Sequence, residues 1–488
     1  MDSVFDVIIV GGGGSGLAAA VSAAEQGVRV LVLERQNRWG GTSRMAVGSI
    51  SAAGTSWQRR AGLEDDWPSF VEDMAQFTGD LLSEDNADLR AWLARHAAPT
   101  LEWLARWGVV FAGPFPEPPH RVCRMHNAVP GAAAITSRLL RACRRLGVQM
   151  ACSAQVLELL GNASDRVRGV RCRLNGQTLD LTARLGVILA SGDFSGNAQM
   201  RQAHLSPAAA RALPINPHNE GQMFELAQSV GARYTHMSHV FGPQMRFPSG
   251  PKPGLAEKMP DWPWLCHLSK WFFQYAPQSL KKLLIKPLLM SHMSPSEQLF
   301  KEGAKLIDRQ GRLLDHSQPA ASIAMTPERQ AFIVMPSHVA QRFNGQPHAI
   351  STAPGIAYAH LDDYRKGRPD LVHEAPSLQD LWRCLGMSGD APDGAIQALA
   401  SSGPWIAMGP VQAMLTTTEG ALATAIGGQV LQDDGQGIAG LYAVGCAGQG
   451  GLLLRGHGLH LAWAYTSGRM TGLEVAQLKE GVSHENWQ

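Results

Sequence analysis

Residues 5–34 constrain the fold of this chain more than any other stretch. The run Phe5-Asp6-Val7-Ile8-Ile9-Val10 has the β-branched density of a buried strand. It enters the turn Gly11-Gly12-Gly13-Gly14-Ser15-Gly16. Leu17 to Gln26 then reads as a small-residue helix, and Val28 to Leu33 as a second strand that ends on Glu34. Gly11 permits the tight turn, Gly13 lets backbone approach a pyrophosphate, and Gly16 allows close packing of helix on strand. Gly14 and Ser15 open the helix, whose unpaired N–H groups and positive dipole end suit phosphates. Glu34, 23 residues beyond Gly11, is spaced to accept hydrogen bonds from ribose hydroxyls. This unit predicts a Rossmann-like α/β domain that binds a dinucleotide.

A second backbone-rich loop follows the ribose acid directly, running from Arg35 through Gly40-Gly41-Thr42-Ser43 to Ala46 and Gly48. A nicotinamide enzyme has no need of such a loop, whereas a flavin must be cradled along its pyrophosphate–ribityl length. Two later segments belong with it: Gly186-Val187-Ile188-Leu189-Ala190-Ser191-Gly192-Asp193-Phe194-Ser195-Gly196-Asn197, and Gly440-Leu441-Tyr442-Ala443-Val444-Gly445. Through these four motifs the chain resembles the flavoprotein family of soluble fumarate reductases, succinate dehydrogenase flavoprotein subunits and 3-ketosteroid dehydrogenases. The resemblance implies FAD as cofactor. It would be held by Gly11, Gly13, Gly14, Ser15, Gly16, Glu34, Arg35, Gly41, Thr42, Ser43, Ala46, Gly48, Val156, Ala190, Ser191, Gly192, Asn219, Gly445, Cys446, Gly458, Leu459 and Leu461. Subunits of respiratory complexes in this family attach FAD through a histidine of the second loop. Thr42 stands at that position here, so non-covalent FAD is expected.

The length of 488 residues fits three domains or two large ones, and 45% hydrophobic residues suffice for a substantial core. A net charge of +2 gives no reason to expect a nucleic-acid partner. Seven cysteines without a CxxC pair argue for a reducing cytoplasm and against a disulfide frame or a metal site. No basic leader precedes the first strand, and no apolar run reaches the ~20 residues that span a bilayer.

The expected architecture is a Rossmann-like FAD-binding domain, 1–237 and 392–488, interrupted by a smaller α+β capping domain, 238–391. Helical patterns occupy Trp67 to Phe77, Glu84 to Trp107 and Thr136 to Leu146, with a Pro-rich loop from Gly113 to His120. Val148 to Leu160 reads as a strand, and Arg166 to Leu181 as a hairpin turning at Asn175-Gly176. Residues 262–290 combine aromatic residues with lysines. They read either as a core-packing insertion of the cap, since Pro263, Pro277 and Pro287 interrupt any long helix, or as a peripheral membrane contact or lid.

The reacting end is expected at Gly450 to Leu461. A helix opened by Gly458 would direct its N-terminal amides at the flavin pyrimidine edge and stabilise the reduced ring. By the resemblance, Arg455 falls where fumarate reductases hold a substrate carboxylate, a task suited to a planar donor fork. Other family landmarks are replaced. Ala320 stands for the arginine proton donor, Pro243 and Thr417 for two histidines, and Ala320 and Leu454 for the ketosteroid dehydrogenase tyrosines. A desaturase needs a base for the proton beside a carbonyl; His126, His457, His460, Tyr358 and His360 are the candidates.

The reading that follows is an FAD-dependent dehydrogenase acting on CH–CH groups. It would insert a C=C bond beside the carbonyl of a cyclic oxo-acid such as 4-oxocyclohexanecarboxylate and pass electrons to an unidentified acceptor. A neutral steroid-like ketone, an ene-reductase running in reverse, and a non-catalytic electron-transfer subunit stay open as alternatives.

Overall fold

Val4–Val10 lies inside an eight-stranded sheet, flanked by Val30–Leu33 and Gln177–Leu189 with parallel register, Val7 opposite Val30 and Ile9 opposite Ile188. The computed structural model describes residues 3–162, 164–250, 259–277, 286, 290, 293–353, 357–387 and 404–480. Val7, Ile8 and Ile9 are all fully buried: Val7 and Ile9 share a core with the helices Gly14–Ala24 and Leu459–Gln477, and Ile8 on the other face packs with residues of the strands Gln155–Leu160 and Gly169–Leu174. The helix Gly14–Ala24 packs on the final helix, Leu459–Gln477, through small residues. A side chain at Gly468 would meet the Ser15 carbonyl, so the two backbones approach closely. The carboxyl ends of Val4–Val10 and Gln177–Leu189 lie side by side. From there the chain continues outward in opposite directions, to Val30–Leu33 and to Gly437–Ala443, which opens a crevice for a ligand.

A second, seven-stranded sheet has Trp405–Leu415 at its centre. Gln330–Pro336, Gln244–Arg246 and Val372–Ala375 pair with it antiparallel, and Leu213–Pro214 pairs with it parallel. The boundary expected at 391 lies outside the described residues, yet a division there would part this sheet from its central strand.

Local expectations divide similarly. The hairpin forms as Gly169–Leu174 and Gln177–Leu189, with Asn175 and Gly176 both at positive φ. The single strand expected over 148–160 is two, Gln149–Ala151 and Gln155–Leu160, because Ser153 turns the chain at φ +52°. The helix expected from Thr136 begins four residues earlier, at Ala132.

The aromatic segment meets the core-packing expectation only in part: Cys266 and Met290 are buried, Met290 in the main core, and Lys286 pairs with Asp363. Its described part forms the helix Pro263–Tyr275, and Trp264, Leu268, Trp271 and Tyr275 face solvent. Most of 278–292 lies outside the described residues. No helix among them is long and apolar enough to cross a membrane.

Candidate active site

The first glycine turn is tight where it meets the sheet and open where a phosphate would lie. Gly11 sits at φ +112°, and a Cβ there would come within 2.4 Å of the Ala190 carbonyl oxygen, so only glycine fits. At Gly13 a Cβ would meet nothing within 4 Å, which leaves room for a ligand over the helix N-terminus. The Glu34 carboxylate accepts the Gly12 N–H at 2.7 Å and the Gln36 N–H at 2.8 Å, which fixes its plane and leaves lone pairs for hydroxyls. Ala154 N–H donates to the Glu34 carbonyl, so the start of Gln155–Leu160, with buried Val156, runs beside the acid. Arg35 turns outward to Glu220 and to the His218 carbonyl.

The second loop is tied to the others by one polar network. Asn219 Nδ2 donates to Thr42 Oγ1 at 3.0 Å and to Asp193 Oδ1 at 2.7 Å; Asn216 Nδ2 donates to Thr42 as well. Buried Asp193 also accepts the Thr418 N–H at 2.8 Å and the Thr417 hydroxyl. Cys446 Sγ lies 3.8 Å from Thr417 Oγ1, and burial raises its thiol to about 12. Gly445 N–H donates to Ser467, and a Cβ at Gly445 would meet the Ser15 hydroxyl. Ser43 reaches Gly14 in the same way. Gly48, at φ +107°, accepts the Ala128 N–H, while Ala46 is exposed at the end of the Thr42–Met45 turn.

These residues form one cradle, and they fit FAD. The open face of Gly13, the locked Glu34 and the buried, unpartnered Ser191 Oγ beside Gly192 suit a phosphate, a ribose and a polar ring edge. Glu34→Ala should leave the purified protein with under half its flavin, read from the ratio of visible to 280 nm absorbance. Full occupancy would mean the acid does not hold the ribose.

At the far end Gly458 caps the last helix at φ +79°, and Ser51 pins the turn. Its N–H bonds the Gly458 carbonyl and its hydroxyl the His457 carbonyl at 2.9 Å. Leu459 and Leu461 are buried beneath. His457 N–H donates to Glu117 Oε1 at 2.6 Å. Glu117 is 8% exposed and its Oε2 has no partner among the described residues; burial lifts this carboxyl to about 7 against the lowering effect of that bond. Glu117 lies in Pro116-Glu117-Pro118-Pro119, whose fixed φ angles hold it in place. The sequence analysis placed this Pro-rich loop but gave Glu117 no role, although a lone acid among prolines was a usable signal.

Arg455 is engaged. Its Nη2 bonds Glu419 Oε2 at 2.8 Å, and Glu419 is fully buried and also accepts the Leu454 N–H. Desolvation raises the Glu419 carboxyl, and the Arg455 charge opposes the rise. Arg246, from the second sheet, was also missed. Among the described residues it bonds the Gln244 side-chain oxygen alone, at 2.7 and 3.3 Å, and no carboxylate there pairs with it. It lies near enough to His457 for its charge to depress the imidazole pKa, second to desolvation.

The other base candidates separate. His126 is fully buried, bonds Thr55 Oγ1 at 3.0 Å, packs on Trp57 and is held near 4 by desolvation. A buried neutral ring bonded to Thr55 argues against its expected role as the base. His460 packs on Phe241 and is likewise held near 4, by desolvation first and then by repulsion from His457 and Arg455. Tyr358 and His360 belong elsewhere in the cap, Tyr358 on the ribbon Ser351–Ala353/Ala357–Ala359 and His360 capping Leu361–Gly367 near Asp363. Among the described residues, no hydrogen bond or ring contact links Tyr358 or His360 to the 455–461 turn.

The fold and cradle define a flavoprotein. Residues 6–261 match the family described as FAD binding domain, and the chain belongs to that family. Among curated proteins it is similar to the acrylate reductase flavoprotein subunit of Shewanella woodyi, 31% identical over 253 residues, 49% of each chain. It is also similar to the urocanate reductase of Eggerthella lenta, 30% identical over 48% of this chain and 39% of that one. The match to the 3-oxosteroid 1-dehydrogenase of Comamonas testosteroni is 25% identical over 48% and 53%. The chain thus spans about half the length of these relatives or less. Over 98% of its length it superposes on the open conformation of a flavocytochrome c3 fumarate reductase with TM-score 0.72 at 20% identity, covering 78% of that chain. A 3-ketosteroid delta1-dehydrogenase from Sterolibacterium denitrificans gives 0.67 at 17%, covering 98% of this chain and all of that one. Both likenesses concern the fold.

Proposed function

We propose that this chain is an FAD-dependent oxidoreductase of CH–CH bonds, and that it desaturates a cyclic oxo-acid of the 4-oxocyclohexanecarboxylate kind beside its carbonyl. The observation that carries the reading is Glu117, a buried carboxyl with a free oxygen against the His457–Gly458 turn. FAD, when bound non-covalently, supplies a two-electron hydride acceptor. Glu117 takes the α-proton, and an acid titrating near neutral pH is matched to that work. The backbone amides of Gly456 and Gly458 polarise the carbonyl, that of His457 being held by Glu117. Arg246, rather than the neutralised Arg455, receives the substrate carboxylate. The Arg455–Glu419 pair then holds the turn beneath them.

Anaerobic addition of 4-oxocyclohexanecarboxylate should bleach the flavin of the wild type. Its methyl ester should need a concentration roughly 30-fold higher or more, since it loses charge-assisted bonds to Arg246. Arg246→Gln should abolish that preference. Equal bleaching by acid and ester would remove the anion from the reading, and no bleaching by any saturated ketone would remove the desaturase. Denaturation should release all flavin to the supernatant; a yellow pellet would mean a covalent link.

A second reading is favoured by the acrylate and urocanate reductase matches, namely reduction of a conjugated acid. Glu117, half protonated near pH 7, serves there as proton donor. Reoxidation of chemically reduced protein by an unsaturated acid, without bleaching by saturated ones, would select it.

A further inference from the structure

The helix Pro263–Tyr275 is turned the wrong way round for a core element. Its exposed residues are Trp264 (61%), Leu268 (52%), Trp271 (58%) and Tyr275 (64%), spaced by four, three and four residues along one face. Trp262, 55% exposed, extends the stripe, with its ring 6.0 Å from that of Trp264. The opposite side, which carries Cys266 and Ser269, packs towards Val110–Phe115. A globular surface helix shows its polar face to water; this one shows indoles and a phenol.

The surroundings favour one occupant. The rings are Trp and Tyr, whose apolar bodies and polar tips suit a headgroup boundary, rather than the Leu and Met of a protein groove. The helix border is cationic. Lys270 lies on the helix, with Arg60 near enough to lower its pKa further after burial has done so. Arg138 and Arg141 border its start, and both bond Asp261. Arg144 and Arg145 stand exposed at the end of the same Ala132–Arg145 helix. An aromatic face within a basic border complements an anionic lipid surface.

We propose that Pro263–Tyr275 is an interfacial anchor that seats the protein on an anionic membrane surface, with Trp264, Trp271 and Tyr275 at headgroup depth. Val110–Phe115, on which the helix lies, runs directly into the loop of Glu117, so the anchor would bring the substrate entrance close to the lipid.

The test uses the flavin-loaded full chain and sedimentation with vesicles of phosphatidylcholine alone or with one quarter phosphatidylglycerol. The wild type should pellet with the anionic vesicles, with a blue shift of tryptophan emission, and far less with the neutral ones. Trp264→Ser/Trp271→Ser changes only exposed side chains, so flavin content and Tm should hold while the partition coefficient falls at least tenfold. Lys270→Glu should weaken binding to anionic vesicles alone. A wild type that stays in the supernatant, or a Trp variant that pellets equally well, overturns the proposal. So does light scattering that finds a wild-type dimer and a monomeric Trp variant, because the face would then belong to a second copy.

Discussion

Glu117→Gln should lower turnover with any reactive substrate by about 10²- to 10⁴-fold, the usual contribution of a positioned acid–base group. The amide keeps an oxygen for the His457 N–H, so flavin content should be unchanged. The wild-type desaturation rate should rise with pH through about 7, where this carboxyl loses its proton, and the variant should be flat there. Stability supplies an independent check. Between pH 4.5 and 7 an unfolded chain has given up this proton while the native protein keeps it. The native state therefore binds more protons, and stability falls as pH rises across that window, by about 3 kcal/mol for the whole shift. In Glu117→Gln that slope should vanish, leaving the variant the more stable protein at pH 8 and not at pH 4.5. If the slope disappears while turnover stays within threefold, Glu117 is a strained structural acid and the proposed chemistry loses its base.

Removing Arg455 should destabilise the fold more than it affects binding. Glu419 is fully buried, and Arg455→Leu leaves it without a cation, a change that typically costs about 3–5 kcal/mol. The orphaned carboxyl would respond by holding its proton. Its pKa, already raised by burial, would rise further, so the deficit should be larger at pH 8 than at pH 5 in urea melts. Arg455→Leu/Glu419→Leu should recover most of the loss, because two apolar side chains need no partner there. Should Arg455→Leu melt within 1 kcal/mol of wild type and raise only the KM for an acidic substrate, Arg455 itself would be the carboxylate anchor, as the family resemblance implies.

The cradle was legible because its requirements are local. Gly11 and Gly13 are set by one turn of chain and Glu34 by the end of the next strand, 23 residues beyond Gly11, so a single strand–helix–strand unit carries all three. The same holds for Gly458, which opens the last helix as its position in a glycine run suggested. The catalytic end was read less well because it is assembled from distant segments. His457 meets Glu117 across 340 positions, and Arg455 meets Glu419 across 36. Seventeen histidines offered themselves as bases, and composition could not reveal that burial silences His126 and His460. Arg246 had no motif around it; only the pairing of its strand with Trp405–Leu415 brings it towards the turn.

The sequence by itself therefore determined a dinucleotide cradle and its flavin character, since backbone approach and helix-terminus electrostatics depend on residues a few positions apart. Only the tertiary structure decided which charges are neutralised, which acid is desolvated and which aromatic residues stay in water. Burial and Coulomb interaction depend on distance in space, and the chain brings those partners together only when it is folded.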